Sequence, residues 1–214
     1  MIVFDLVETE SHPAYEALAI ANLNRQYDFL RSVVGASLAL NRPMLSLEVI
    51  LALNYHAISC LHANAGQLRP CAVYVGRPPE QYKPPDHVRV PALMSLFVDE
   101  VNRYWDQSDP VFLAAFVLWR LNWIHPFING NGRTARVVCY FVLCLKAGNW
   151  LGGDVILPEL IRANRPEYVA ALKAADASIE AGPLNLSALH SLLSRLIDEQ
   201  LASDGESAPE GGAI

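Results

Sequence analysis

The chain has 214 residues, 52% of them apolar, and a formal net charge of −6. That length suits one domain with a sizeable core, and an acidic chain with no lysine or arginine run carries no electrostatic footprint for nucleic acid. A membrane-spanning helix needs about 20 apolar residues in a row, yet the best run, VFLAAFVLWRLNWI (111–124), already contains Arg120 and Asn122.

From the N-terminus, MIVFDLVETESHPAYE lacks the basic start and apolar stretch of a Sec-type leader. Residues 14–40 read as a helix, with apolar positions at Leu18, Ala21, Leu30 and Val33 and no proline between Pro13 and Pro43. Ser46 is placed to cap a second helix, LEVILALNYHAISCLHANAG (47–66), with Gly66 just past its end. The stretch CAVYVGRPPEQYKPPDHVRV (71–90) changes character. Its ends, CAVYV and VRV, are β-type runs, and the four prolines between them leave little room for a ladder, so a small two-stranded flap is expected.

Pro91 then opens a helix, ALMSLFVDEVNRYW. Asp109-Pro110 starts the next, with a carboxylate at the N-cap and proline at N1. Residues 111–124 and 132–146 are apolar enough to be central helices, the latter ended by Gly148 with Lys146 near the negative end of its dipole. Two more helices are expected near 158–175 and 184–202, and the small polar tail 203–214 reads as disordered. The four cysteines, at 60, 71, 139 and 144, make no CxxC or metal spacing, which fits a reducing compartment. The sum is an all-α domain with one β flap and a cytoplasmic setting, whether in the producing cell or in a host into which the protein is delivered.

Between the two most apolar helices sits HPFINGNGRTAR (125–136). A helix N-terminus has unpaired N–H groups and a partial positive charge, so it takes anions, phosphate above all. Gly130 and Gly132 let backbone N–H groups come close to a ligand, and Arg133 and Arg136, three apart, share a helix face. Guanidinium forks match phosphate oxygens. His125, able to accept a proton near neutral pH, stands beside this cradle and suits deprotonation of a hydroxyl that attacks phosphorus. Taken singly, a GNG is a turn and two arginines are a solvated face. The bland reading weakens because the residues that follow are core. There is no GxxxxGKS or GxxxxGKT, no HExxH and no GxSxG. His12, His87 and His190 are isolated, and His56 and His62, read on one helix, have poor ligand spacing and are taken as structural or solvent-facing.

The twelve-residue run resembles the signature of the Fic family, HPFx(D/E)GNGRxxR, departing at one position, where Asn129 stands for the acidic residue. AGQLRP (65–70), YKPPDHVRVPALM (82–94) and RPEYVAAL (165–172) resemble further family segments, so the likeness covers roughly residues 45–195. It implies a Fic-type helical bundle with a β-hairpin flap, divided as an N-terminal helical extension (1–44), a catalytic domain (45–202) and the tail. It also implies a protein adenylyltransferase that moves AMP from ATP, its co-substrate, onto a Ser, Thr or Tyr hydroxyl of a target protein. By this resemblance His125 is the general base, and Gly130, Asn131 and Gly132 form the anion hole. Arg133 and Arg136 hold the outer phosphates, Tyr168 lines the adenine side, and the flap, 71–90, docks the target by strand addition. The family's acidic residue helps hold Mg²⁺. Asn129, in its place, offers one neutral oxygen and a weaker metal site, so the activity implied is low.

Two other readings stand beside this one: a family variant that transfers another phosphate-containing group, and a nucleotide-binding interaction module impaired in catalysis by Asn129. The family's inhibitory helix carries (S/T)xxxE(G/N). Only Glu210 precedes a Gly or Asn here, and Glu206 rather than Ser or Thr stands four before it, so this brake is expected to be lacking in cis, with restraint coming from a separate inhibitory partner or from the weak metal site.

Overall fold

The computed structural model describes residues 1–79 and 81–206. The short α1 (Val3–Val7) leads to the long α2 (Pro13–Ala39), then α3 (Leu47–Ile58), α4 (Val90–Arg103), α5 (Pro110–Ile124) and α6 (Asn131–Ala147), and the chain continues as α7 (Leu157–Ala163), α8 (Arg165–Ala181) and α9 (Ser187–Glu206). The caps follow the sequence. Ser46 accepts from the Val49 N–H at 3.3 Å, Asp109 from the Phe112 N–H at 2.9 Å, and Gly148 closes α6 in the left-handed region. The expected tail, 203–214, is answered only in part: α9 runs on to Glu206, and 207–214 lie outside the described residues.

Helices α5 and α6 lie against one another at the centre, flanked by α2, α3 and α4 on one side and α7, α8 and α9 on the other. Their side chains, among them Leu118, Val138, Tyr140 and Phe141, are buried in one continuous core with Leu53, Phe97, Leu189 and Leu193. A smaller cluster of Val3, Tyr15 and Leu61 fixes the N-terminal turn to the region after α3. No helix among the described residues is long and apolar enough to cross a membrane.

Three expectations are corrected. The flap holds no strand among the described residues. It has a single antiparallel bridge, Val75 to Tyr82, with paired N–H···O bonds of 3.0 and 2.9 Å. VRV is not β at all, because Asp86 caps a 3-10 turn over His87–Arg89 that runs into α4. Helix α3 ends at Ile58, not near Gly66, since Cys60 turns left-handed and the Cys60 and Leu61 carbonyls accept from the Val3 and Phe4 N–H groups. His62 therefore lies beyond the helix that holds His56. Gly66, at φ +72°, sits where a Cβ would come within 2.9 Å of Tyr55 Cβ, so glycine lets this segment fold back on α3. Finally, the helix expected over 158–175 is two, α7 and α8, broken at Asn164 just before Pro166 enters the first turn of α8.

Candidate active site

Helix α5 ends at His125, whose φ of +51° turns the chain sharply out of the core. The His125 Nδ1 lies 3.4 Å from the Asn122 carbonyl. A carbonyl only accepts, so Nδ1 carries the hydrogen and Nε2 is the unprotonated nitrogen. Burial, opposed by the Asn122 carbonyl and helped by the nearby Arg69, brings the imidazole pKa down to about 4. His125 is thus neutral at pH 7, as a base must be.

The loop that follows is held from inside. Phe127 is fully buried. Asn131 closes a ring onto it, its Oδ1 accepting from the Phe127 N–H at 2.9 Å and its Nδ2 donating to the Phe127 carbonyl at 2.8 Å. Asn54, buried in the middle of α3, donates to the Asn129 carbonyl and to Thr134 Oγ1, and accepts from the Gly66 N–H. Gly130, at φ +77°, packs so close to α3 that a Cβ would stand 2.7 Å from Ile58 Cγ2. Arg69, also buried, fastens the flap to this loop. It donates to the His125 carbonyl at 2.8 Å, to the Cys71 carbonyl at 3.0 Å and to the Pro85 carbonyl.

Beside the loop opens a cavity of about 830 Å³. One wall is the flap, Val75 to Pro79 and Tyr82, the latter anchored by its hydroxyl to the Trp123 carbonyl at 2.8 Å. His125, Gly132 and Arg136 line one part, while Trp119, Trp123, Tyr168, Leu172 and Asp176 line the rest. The Arg136 Nε is buried with no hydrogen-bond partner among the described residues. Burial lowers the Arg136 pKa, yet guanidinium stays charged. The Tyr168 hydroxyl takes a bond from Asn122 Nδ2 at 2.7 Å.

The structure brings His125, Gly132, Arg136 and Tyr168 to the lining of one cavity, while Asn129, Gly130, Asn131 and Arg133 are not among the residues that line it. Gly130 faces α3, and the Asn131 side chain braces the loop. Arg133 donates to the Ala57 carbonyl at 3.0 Å and to Asn129 Oδ1 at 3.2 Å. The Asn129 amide nitrogen donates to Glu10 Oε1 at 3.1 Å and lies 2.9 Å from His62 Nε2, which also meets the Tyr15 hydroxyl at 2.8 Å. Asn54, Arg69, Asn122 and His62 were not selected for the site from sequence. A lone asparagine inside the apolar LEVILALNYHAI was a readable signal for the first, because a buried amide must find partners. Nothing local marks the other three.

A divalent cation wants several oxygen ligands, charged ones above all. Asn129 has one side-chain oxygen, already bound by Arg133. The one carboxylate lining the cavity among the described residues, Asp176, accepts from Trp119 Nε1 at 2.8 Å and has its pKa raised by burial. Among the described residues no three His, Cys, Asp or Glu side chains gather as a metal site. The residues present do not fit a protein-held Mg²⁺.

The comparisons with known proteins point to one family. Residues 44–143 match the Fic/DOC family model. The chain is 32% identical over 162 residues to the protein adenylyltransferase Fic of Drosophila willistoni, covering 71% of this chain and 30% of that protein. It is 36% identical over 116 residues to the protein adenylyltransferase fic-1 of Caenorhabditis elegans, covering 52% of this chain and 20% of that protein. The chain thus spans less than a third of the length of these curated relatives. Among solved structures, C. elegans Fic-1 superposes with a TM-score of 0.67 at 24% identity, over 94% of this chain and 55% of that one. A Fic domain-containing signaling protein from Bacteroides thetaiotaomicron gives 0.65 at 22%, over 90% and 75%. The signature loop, the helical bundle around it and these matches agree: the chain belongs to the Fic/DOC family.

Proposed function

We propose that the chain is a protein adenylyltransferase, moving AMP from ATP to the hydroxyl of a Ser, Thr or Tyr in a target protein. The reaction asks three things of the site: a neutral base, an anion cradle and room for a nucleoside. His125 Nε2 takes the proton as the hydroxyl oxygen attacks the α-phosphorus. The bond from that phosphorus to the bridging oxygen breaks, and pyrophosphate leaves. The first turn of α6 supplies N–H groups and a positive dipole end to the phosphates. The aromatic wall of Trp119, Trp123 and Tyr168 suits a flat base. The target enters along the flap, where main-chain hydrogen bonds give affinity and the exposed Tyr74 offers a contact.

The observation that carries this reading is Arg136. A guanidinium at the cavity wall, its Nε buried with no partner among the described residues, beside Gly132 and a neutral histidine, suits an anion that the protein itself does not supply. The names of the curated relatives support adenylyl transfer as the chemistry. Incubation with cell lysate and ATP labelled at the α-phosphate tests it. Protein label that disappears in His125→Ala is the expected result. Label from the γ-phosphate points instead to transfer of another phosphate-containing group. Nucleotide binding with no label from either position makes the chain a binding module.

A further inference from the structure

We propose that this chain balances the charge of its bound polyphosphate with its own guanidinium groups and without a divalent cation. The proposal rests on the nucleotide-binding reading above and concerns how the site handles charge.

The first ground is Asn129. Its oxygen accepts from Arg133, and its nitrogen donates to Glu10 and lies against His62. Turning the amide over would set its NH₂ against the Arg133 guanidinium, donor to donor. Turning it toward the cavity would leave Glu10, His62 and Arg133 each short of a partner. The residue at the family's acidic position is therefore committed to holding the N-terminal segment on the loop. Glu10 lies in that cluster, outside the cavity lining.

The second ground is the cavity's own charge. Among the described residues, four arginines line it, Arg77, Arg136, Arg162 and Arg165, and one carboxylate, Asp176. The chain as a whole carries −6, so this concentration of positive charge is local. Arg162 shares its charge with Glu159 at 2.7 Å. Arg136, Arg77 and Arg165 come from three places, the second turn of α6, the flap and the start of α8. Arginine forks bind phosphate oxygens in charge-assisted, bidentate fashion, and several of them around one polyphosphate do the neutralising work of a metal ion.

The test uses the full chain and a nonhydrolysable α,β-methylene analogue of ATP, titrated by calorimetry in EDTA and in excess Mg²⁺. The wild type is expected to bind in EDTA with a Kd within about threefold of its Mg²⁺ value or tighter. The double variant Arg77→Ala/Arg165→Ala, whose changes lie on exposed residues, is expected to lose more affinity in EDTA than in Mg²⁺, because the metal then replaces the missing cations. Mg²⁺ tightening wild-type binding by more than about threefold, or equal losses by the double variant in both buffers, overturns the proposal and leaves the nucleotide reading standing. No binding in either buffer overturns the nucleotide reading itself, and this proposal with it.

Discussion

The loop 125–130 and the start of α6 have two sides, and the residues of one motif are divided between them. On the cavity side stand His125, Gly132 and Arg136, with polar atoms left open. On the other stand Asn129 and Arg133, joined to Ala57, His62, Glu10 and Tyr15 in a closed set of bonds. On the proposed reading the open side is where the chemistry takes place. The closed side is construction, and it ties the N-terminal segment and α3 to the loop that the chemistry needs. A signature motif therefore marks a place in the chain, while the job of each residue in it is decided by which way its side chain leaves the helix.

The largest effect is expected on the open side. His125→Ala should lower transfer by about 10²–10⁴-fold, the usual worth of a general base. The same variant should hold a nonhydrolysable ATP analogue within a few fold, because the base meets the incoming hydroxyl rather than the nucleotide. Equal losses of transfer and of nucleotide affinity would move His125 from the chemistry to the binding of ATP.

His125 also gives the open side an acid limit. Its pKa is about 4 in the fold, where burial resists the charged ring, and about 6.5 when unfolded. The unfolded chain then binds the extra proton first as pH falls, so stability drops from about pH 6.5 to about 4 and is level below that for this group. The span corresponds to roughly 3 kcal/mol at most. Denaturation at stepped pH should show this slope, and His125→Ala should flatten it. The acid limb of kcat/KM in the free enzyme should lie well below pH 6.5; a limb at pH 6.5 would mean that the ring is solvated.

Much of this division was hidden in the sequence. The helices α2, α5 and α6 were legible because their apolar patterns and caps are local: Pro13, Asp109, Pro110 and Gly148 mark ends by their own chemistry. The end of α3 was not, since it depends on Val3 and Phe4 donating to carbonyls nearly sixty residues away. The flap's β character failed for a related reason. CAVYV and VRV have β-type side chains, but the buried Arg69 occupies the Cys71 and Pro85 carbonyls and Asp86 turns the chain into a 3-10 helix. At the site, His125 and Arg136 could be read from type and spacing, because a histidine and an arginine next to core residues need a reason. The partners of Asn129 could not, because Glu10 and His62 are distant in sequence and unremarkable in type.

The two glycines sharpen the comparison at the level of stability. Gly130→Ala puts a Cβ at φ +77° and 2.7 Å from Ile58 Cγ2, a neighbour fixed in the core. A cost of about 1–3 kcal/mol is expected from the backbone conformation alone, read as a lower denaturant midpoint. Gly132→Ala has an ordinary φ, and its Cβ meets only the mobile tip of Arg136 at 3.3 Å. Its stability should change by less than about 0.5–1 kcal/mol, the helical preference of alanine even helping, while affinity for the ATP analogue weakens because the guanidinium is displaced. If both alanines destabilised equally, Gly130 would not be packed on α3 as described.

The arginine pair divides the two sides most directly. Three residues apart on one helix, Arg133 and Arg136 look interchangeable in sequence. Arg133, however, spends two of its donors on the Ala57 carbonyl and Asn129 Oδ1, whereas Arg136 lines the cavity and its buried Nε has no partner among the described residues. Losing a charge-assisted contact costs about 1.5–3 kcal/mol, so Arg136→Ala should weaken the ATP analogue by at least about tenfold and AMP by less, since the contact is to the outer phosphates. Arg133→Ala should leave both affinities within about two- to threefold and instead lower the melting temperature, by loosening α3 and Asn129 from the loop. Calorimetry and thermal unfolding on the two variants separate the roles. Loss of ATP affinity in Arg133→Ala with an unchanged melting temperature would put Arg133 at the phosphates and reduce the closed side to Asn129 and its N-terminal partners.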